Sequence, residues 1–161
     1  MKFVVSSNTL LTRLQAVSKV IGGKPVQPIL DNILLVATEG VLYATASDKE
    51  TTMEARIELE RLEEEGKITI PAKILLDILK EFPEQPLTFE INTETNEVKI
   101  ISEKGEFSVP GESAEDYPIQ AALNDSSNDL TSKCGLILEG IVKTIFATAN
   151  DDLRPVMNCI L

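Results

Sequence analysis

Two stretches of this chain repeat apolar residues at the spacing of one helix face. The first stretch carries Leu10, Leu11, Leu14, Val17 and Ile21. The second carries Ile74, Leu75, Ile78 and Leu79. Serine and asparagine at positions 6–8 offer N-cap oxygens before the first stretch, and the glycine pair at 22–23 ends it. Pro71 suits the start of the second stretch, so the pattern predicts amphipathic helices at about 10–21 and 72–81.

Most other apolar residues in the first 110 positions alternate with polar ones. A period of two predicts strands with one buried and one wet face. We expect strands at residues 2–5, 33–37, 41–46, 51–59, 67–70, 87–91, 97–101 and 106–109. Residues 63–66, Glu-Glu-Glu-Gly, are expected to form a solvated turn.

One motif of the chain occurs twice. Residues 28–34, Pro-Ile-Leu-Asp-Asn-Ile-Leu, are similar to residues 155–161, Pro-Val-Met-Asn-Cys-Ile-Leu, 127 positions later. An apolar helical segment precedes each motif, and its residues Leu10, Leu11 and Leu14 match Ile141, Val142 and Ile145 at an offset of 131. The connection should therefore be four residues shorter in the second copy. This recurrence indicates an internal duplication, with a strand at 132–136, a helix at 138–149 and a strand at 156–161 in the second copy.

Composition changes near residue 110. Residues 110–129 are rich in Pro, Gly, Ser, Asn and Asp, as linkers are. We place a complete first domain at 1–120, a linker at 121–130, and the start of an incomplete second domain at 131–161. The first domain is itself two-fold, because a strand, a helix and three or four strands are followed by a strand, a helix and three strands. The fold class is α+β, with antiparallel sheets and both helices on one face.

Several classes of function are disfavoured by composition. No apolar run is long enough to span a membrane, and the N-terminus lacks the features of a signal peptide, so a cytoplasmic protein is expected. Histidine is absent, and Cys134 and Cys159 are the only cysteines, which argues against zinc, haem and nucleophilic catalytic centres. Carboxylate pairs fall in turns without a companion base. We therefore expect no cofactor, no metal and no enzyme activity.

Charge is distributed unevenly along the chain. The formal net charge is −11, yet the first acid is Asp31, and four bases precede it. The helices' polar faces carry Arg13, Lys19, Lys73 and Lys80, with Lys24 just beyond the first helix. If the helices pack side by side, they form a cationic surface that suits phosphates without reading bases, since aromatic and amide side chains are scarce there. The alternative is that these lysines are simply solvated.

Several motifs together resemble one family. They are residues 1–3, 28–34, 45–51 (Thr-Ala-Ser-Asp-Lys-Glu-Thr), 71–83, 107–118 and 154–158. In this combination the sequence resembles the start of the bacterial DNA polymerase sliding clamp, its beta subunit. The resemblance implies three similar domains per subunit and a homodimer ring, closed head to tail, with helices inside and sheets outside. It implies a non-catalytic processivity factor that encircles duplex DNA without sequence specificity and tethers the DNA polymerase, with a clamp loader as a further partner.

The resemblance also assigns residues to sites. It implies DNA binding by Arg13, Lys19, Lys24, Lys73, Lys80 and Asp151. It implies a subunit interface at Lys104, Glu106 and Phe107, and a pocket for partner peptides bordered by Arg154 and Met157. Most of the second domain and the whole third domain of the family are missing, so we expect a fragment. Two alternatives stand beside this interpretation: a free-standing acidic module that binds a protein by strand addition at an open sheet edge, and a hydrolase using surface carboxylates.

Overall fold

The computed structural model describes residues 1–22, 27–118, 131–149, 151 and 153–160. The chain divides into two compact units, Met1–Gln120 and Ala121–Leu161. Lys24, the predicted linker at 121–130 and Leu161 lie outside the described residues. Within the described ranges, no helix is both long enough and apolar enough to cross a membrane.

The described residues of the first unit form two helices and nine strands. The helices are α1 (Ser7–Val17) and α2 (Ala72–Lys80). The strands are β1 (Lys2–Ser6), β2 (Asn32–Thr38), β3 (Val41–Ser47), β4 (Thr52–Glu58), β5 (Arg61–Glu64), β6 (Gly66–Pro71), β7 (Pro86–Asn92), β8 (Glu97–Ser102) and β9 (Gly105–Pro110). The expected helices and eight of these strands are confirmed, with bounds that differ by a few residues.

Two antiparallel sheets follow from these strands, in the orders β5-β1-β7-β8-β9 and β4-β3-β2-β6. The two halves of the unit exchange their first strands, because β1 pairs with β7 and β6 pairs with β2. The turn between β2 and β3 uses Glu39 and Gly40, both at positive φ, which is the geometry of a tight hairpin. The observed class is α+β, as expected.

One apolar core joins both sheets and both helices. It is mostly aliphatic, with Leu10, Leu14 and Leu75 fully buried among many others. Phe3 of β1 and Phe89 of β7 add a stacked aromatic pair at 4.9 Å between ring centroids. Full burial of each such side chain contributes about 1.5–3 kcal/mol, so the helices are fixed to the sheets mainly by this core.

The acidic segment 61–64 corrects one prediction. It is a strand, β5, and not a turn, because Leu62 pairs with Phe3 across β1 and is partly buried. Glu63 forms ion pairs with Lys2 and Arg61, and the carboxylate hydrogen bond from Lys2 is the main reason why the pKa of Glu63 is lowered. Opposite charges on neighbouring strands thus offset the crowding of acids.

The buried faces also differ from the pattern in two places. Ile74 was expected on the apolar stripe of α2, but it is 43% exposed, and the buried positions are Ala72, Leu75 and Leu79. In β4, Met53 is on the same side of the alternation as the buried Ile57, yet it is 41% exposed, since β4 is an edge strand. Periodicity therefore predicts which side of a helix or strand is buried, but packing decides which residues at the border of that side are exposed.

The segment after β9 is packed rather than linker-like as far as residue 118. Glu112 exchanges two backbone hydrogen bonds with Thr69, at 2.9 and 3.1 Å. Tyr117 is buried, and its hydroxyl donates to the carbonyl oxygens of Asn32 and Thr45, each at 3.4 Å. Burial raises the pKa of Tyr117. The linker-like composition that begins at residue 110 therefore does not mark a linker as far as residue 118, because composition does not reveal these long-range bonds.

The second unit contains helix α3 (Cys134–Thr144), followed by a 3-10 turn at Ile145–Ala147 and another at Pro155–Asn158. The strand expected at 132–136 is wrong, since the helix already begins at Cys134. The strand expected at 156–161 is also wrong for its described residues, most of which lie in the second turn. Both predictions failed because a short run of apolar residues fits a strand as well as a helical segment, and periodicity alone cannot distinguish the two.

The duplication itself is visible in the backbone, at one constant offset of 127. Helix α3 matches α1 residue for residue, and the 3-10 turns Ile145–Ala147 and Pro155–Asn158 match Ser18–Val20 and Pro28–Asp31. The capping bonds match too, because Cys159 N–H donates to Val156 as Asn32 N–H donates to Ile29. The shorter connection predicted for the second copy is therefore wrong. Leu10, Leu11 and Leu14 correspond to Ile137, Leu138 and Ile141.

Candidate nucleic-acid interface

Helix α1 presents one polar face because its apolar residues are drawn into the core. Ser6 caps the helix, accepting a hydrogen bond from Thr9 N–H at 3.5 Å. Leu10, Leu14 and Val17 are buried on one side. Arg13, the only charged residue of the helix, is exposed, and Lys19 is exposed in the 3-10 turn that follows.

Helix α2 is built in the same way. At an offset of 65 from α1, Pro71 occupies the N-cap position that Ser6 has, and Leu75 and Leu79 are buried as Leu10 and Leu14 are. Its exposed positions carry Lys73, Asp77 and Lys80. In each half of the unit, burial of the apolar positions in the core thus determines that the basic residues of the helix are exposed.

Ser7 ties the start of α1 to the segment after α2. Its N–H donates to the carbonyl of Gln85 at 2.9 Å, and its hydroxyl donates to the carbonyl of Pro83 at 2.8 Å. The same hydroxyl accepts from Gln85 N–H at 3.0 Å. Because the start of one helix meets the end of the other, the two packed helices run antiparallel. Lys19 and Lys73 then lie toward one end of the pair and Lys80 toward the other.

The exposed sides of α1 and α2 and the turns after them are called the helix surface below. Its charged members are Arg13, Lys19, Lys73, Asp77, Lys80 and Glu81. Both helices turn their apolar residues into the same core, so these exposed sides form one surface. The structure therefore brings together four of the five predicted cations, and the fifth, Lys24, is outside the described residues.

The helix surface is only moderately positive. The ammonium of Lys80 is 3.0 Å from a carboxylate oxygen of Asp77, so this ion pair offsets one positive charge of the helix surface. Among the residues that the structure describes, Arg13, Lys19 and Lys73 form no ion pair. Singly placed, solvated cations attract phosphates weakly and without bidentate geometry.

A cleft beside α1 adds a base that the sequence did not single out. It encloses about 520 Å³ between the start of α1 and strand β4, and Arg13 and Arg56 both line it. Glu58 and Glu60 line it as well, so its net charge is close to zero. The alternation of β4 showed only that Arg56 is exposed, and its proximity to Arg13 depends on the packing of α1 against the sheet.

The predicted interface residues lie at one edge of the five-stranded sheet. Glu106 and Phe107 are on β9, the last strand of that sheet, and Lys104 is in the turn that precedes it. Phe107 is 43% exposed, and its ring meets the Phe82 ring edge to face at 5.3 Å. No strand in the described part of the chain pairs with the outer side of β9.

The remaining site residues lie together in the second unit. Asp151 accepts from Arg154 through one carboxylate oxygen, with contacts of 2.7 and 2.8 Å, and its other oxygen accepts from Leu153 N–H. Asp151 N–H donates to Asn158, and Met157, 49% exposed, donates its N–H to the carbonyl of Arg154. Asp151 thus organises the loop that presents Arg154 and Met157.

Metal binding finds no support in the described ranges, where no group of three or more histidine, cysteine or acidic side chains could hold an ion.

A family model for the DNA polymerase III beta subunit, N-terminal domain, matches residues 1–122. The chain is 34% identical over 163 residues to the beta sliding clamp of Vibrio cholerae, covering 100% of this chain and 43% of that protein. It is 37% identical over 119 residues to the beta sliding clamp of Vibrio harveyi, covering 73% and 81%. The chain therefore spans less than half the length of relatives such as the Vibrio cholerae protein.

Solved structures show the same similarity. The sliding clamp of Pseudomonas aeruginosa bound to griselimycin superposes with a TM-score of 0.87 at 30% identity, over 98% of this chain and 42% of that one. The DNA polymerase sliding clamp of Caulobacter crescentus gives a TM-score of 0.87 at 26% identity, with the same two coverages.

Proposed function

The chain belongs to the family of the DNA polymerase III beta subunit, and we propose that it forms the opening part of a processivity factor. In this proposal the whole protein encircles duplex DNA without sequence specificity and tethers a DNA polymerase. It carries out no chemistry itself. Because the chain spans 43% of a relative such as the Vibrio cholerae clamp, the ring and its partners belong to the longer protein.

The helix surface is the observation that carries this function. Arg13, Lys19 and Lys73 are exposed and separate, on two adjacent helices, with the acids mostly elsewhere. Such a surface attracts the phosphate backbone of any sequence, because phosphate contacts carry no sequence information directly. Weak attraction allows sliding, and closure of a ring, rather than affinity, holds the protein on DNA. We include Lys24 among the DNA contacts as a prediction from the family resemblance.

The other predicted sites fit the same proposal. The open β9 edge, with Lys104, Glu106 and Phe107, would join a second subunit head to tail in a homodimer. Arg154 and Met157 would border the pocket that receives peptides of the polymerase and the clamp loader. We propose that Asp151 acts at the DNA side by shaping its loop, since its carboxylate is already engaged by Arg154. A replication role places the protein in the cytoplasm with the chromosome.

Topology gives the sharpest test. A protein of the relatives' length that carries residues 1–161 should remain on a closed or nicked DNA circle and leave when the circle is cut. Retention measured by gel filtration before and after linearisation checks this. Equal retention on circular and linear DNA would refute the ring and favour an ordinary DNA- or protein-binding module.

Charge reversal tests the helix surface separately. Arg13→Glu with Lys73→Glu should weaken binding to short linear duplexes and reduce the slope of log affinity against log salt by about two. Lys49→Glu with Lys67→Glu is the matched control, because both residues are exposed but lie outside the helix surface and outside the proposed subunit interface. The assignment fails if the two double variants have the same effect.

A further inference from the structure

Four side chains form a row across the outer face of the four-stranded sheet, the face turned away from the core. This row, called the outer row below, runs from β6 through β2 and β3 to β4 as Lys67, Val36, Tyr43 and Arg56. Val36 is directly opposite Lys67 on one side and Tyr43 on the other. Tyr43 is in turn directly opposite Arg56. On each strand a chain neighbour of the row residue is buried in the core, so the four side chains lie on the opposite face.

The two ends of the outer row are exposed cations. In the part of the chain that the structure describes, neither Lys67 nor Arg56 forms an ion pair. On the five-stranded sheet, by contrast, Lys2 and Lys99 have carboxylate partners at 3.0 and 3.2 Å. The chain has 26 acidic and 15 basic residues, so two cations left without an internal carboxylate on one face are available to an external one.

Acids on the same sheet limit how much negative charge the outer row accepts. The carboxylate of Glu54 accepts a hydrogen bond from the Thr45 hydroxyl at 3.3 Å. Glu65, just before β6, accepts one from the Glu39 N–H at 2.8 Å. Glu58 is exposed near the β4 end of the row. These acids favour a ligand with one carboxylate at each end of the row over a polyanion such as nucleic acid.

The middle of the outer row is apolar, since Val36 and Tyr43 are both partly exposed there. The segment that follows β9 borders the row on one side. Glu112 pairs with Thr69 of β6, and the Tyr117 hydroxyl donates to the Thr45 carbonyl of β3. Thr69 and Thr45 are two positions from the row on their strands, so the row is the next one beyond the covered part of this face.

The spacing of the two cations specifies the shape of a ligand. Strands β6 and β4 are three strand intervals apart, which is about 14 Å at about 4.7–4.9 Å each. An extended peptide advances about 3.4 Å per residue, so acids at positions i and i+4 span this distance. Position i+2 points to the same side as these acids and lies over the middle of the row. Helical positions i and i+4 are only about 6 Å apart and cannot reach both cations.

From this spacing we propose that the outer row binds an extended acidic peptide of a partner protein, with the pattern acid-x-apolar-x-acid. The peptide crosses the four strands. Its two carboxylates pair with Lys67 and Arg56, and its apolar side chain packs on Val36 and Tyr43. Because β4 is an edge strand, Arg56 also borders the cleft beside α1, so substitution of Lys67 is the cleaner test of the row.

A capped peptide, Gly-Glu-Ser-Leu-Ser-Glu-Gly, tests the proposal on this chain by amide NMR. It should shift the resonances of Val36 and Tyr43. A peptide of the same composition with adjacent acids, Gly-Glu-Glu-Leu-Ser-Ser-Gly, should bind about two- to fivefold more weakly, because it reaches only one cation. Lys67→Gln should abolish this preference, since one cation then remains for either peptide. Lys49→Gln is the matched control, an exposed lysine in the turn between β3 and β4, and should keep the preference.

The proposal is overturned if neither peptide binds at millimolar concentration, if both bind equally, or if Lys67→Gln keeps the preference. Shifts of the Val36 and Tyr43 resonances by a thymidine oligonucleotide would assign the row to nucleic acid instead. The same shifts on raising the concentration of the chain alone would assign it to a second copy. Amide dispersion of each variant shows that it is folded. Retention on DNA circles is measured independently, so a ring that closes while the peptides show no preference refutes this inference alone.

Discussion

The Ser7→Ala substitution should loosen the contact that sets the two helices side by side. Ser7 is buried, and its hydroxyl both donates to Pro83 and accepts from Gln85 N–H. Alanine removes both bonds and leaves a carbonyl and an N–H without their partner. The backbone bond from Ser7 N–H to Gln85 remains, so the helix should still form.

The expected loss can be estimated from these two bonds. A net hydrogen bond contributes about 0.5–1.5 kcal/mol, and an unsatisfied buried group costs about 1–3 kcal/mol. Slightly better helix propensity of alanine offsets about 0.5 kcal/mol. We therefore expect about 2 kcal/mol lower free energy of unfolding for the first unit, or a midpoint lower by about 6–10 °C.

Urea unfolding followed by tyrosine fluorescence measures this loss. Both tyrosines of the chain, Tyr43 and Tyr117, lie in the first unit, and tryptophan is absent, so the signal reports that unit alone. Ser18→Ala is the matched control, because its hydroxyl bonds a carbonyl at the surface and should change stability by less than about 0.5 kcal/mol. If the two substitutions lower the free energy of unfolding equally, the hydrogen bonds of the Ser7 hydroxyl stabilise the unit no more than an ordinary surface bond does.

Three further predictions concern the stability of the first unit, which holds the helix surface. Gly111→Ala should destabilise the first unit by about 1–3 kcal/mol in urea unfolding, since the new Cβ would lie 3.0 Å from two backbone oxygens; wild-type stability would mean that the backbone yields easily. Tyr117→Phe, followed by circular dichroism, should cost about 0.5–1.5 kcal/mol, because two long hydrogen bonds are lost while the ring stays buried; a loss above about 3 kcal/mol would contradict this. Lys2 lowers the pKa of Glu63, so the ionised Glu63 side chain stabilises the folded state. This stabilisation is fully present above the ordinary glutamate pKa of about 4.5 and is lost as the pH falls through the lower pKa of the folded state. The melting temperature of Glu63→Gln should thus be below that of the wild type near pH 7 and converge with it near pH 3, and a gap that widens in acid would reverse the sign of the argument.

The sequence pattern predicted the features that depend on interactions between residues close together in the chain. The spacing of Leu10 and Leu14, the serine cap, and the Glu39-Gly40 turn each act over a few residues, so the helices and most strands could be identified from the sequence. The motif that recurs at residues 28–34 and 155–161 likewise revealed the duplication, because similar short sequences form the same 3-10 turn in both places.

Long-range pairing decided the rest. Strand β5 exists because Leu62 meets Phe3 and Glu63 meets Lys2, residues about sixty positions apart, and the acids alone indicated a turn. The order of the strands, the exposure of Ile74 and the approach of Arg56 to Arg13 also depend on which surfaces meet in the folded chain. The sequence by itself determined that cations occupy the polar faces of two helices. Only the tertiary structure joined those faces into one surface, because helix periodicity specifies a direction around one axis and not the placement of a second helix beside it.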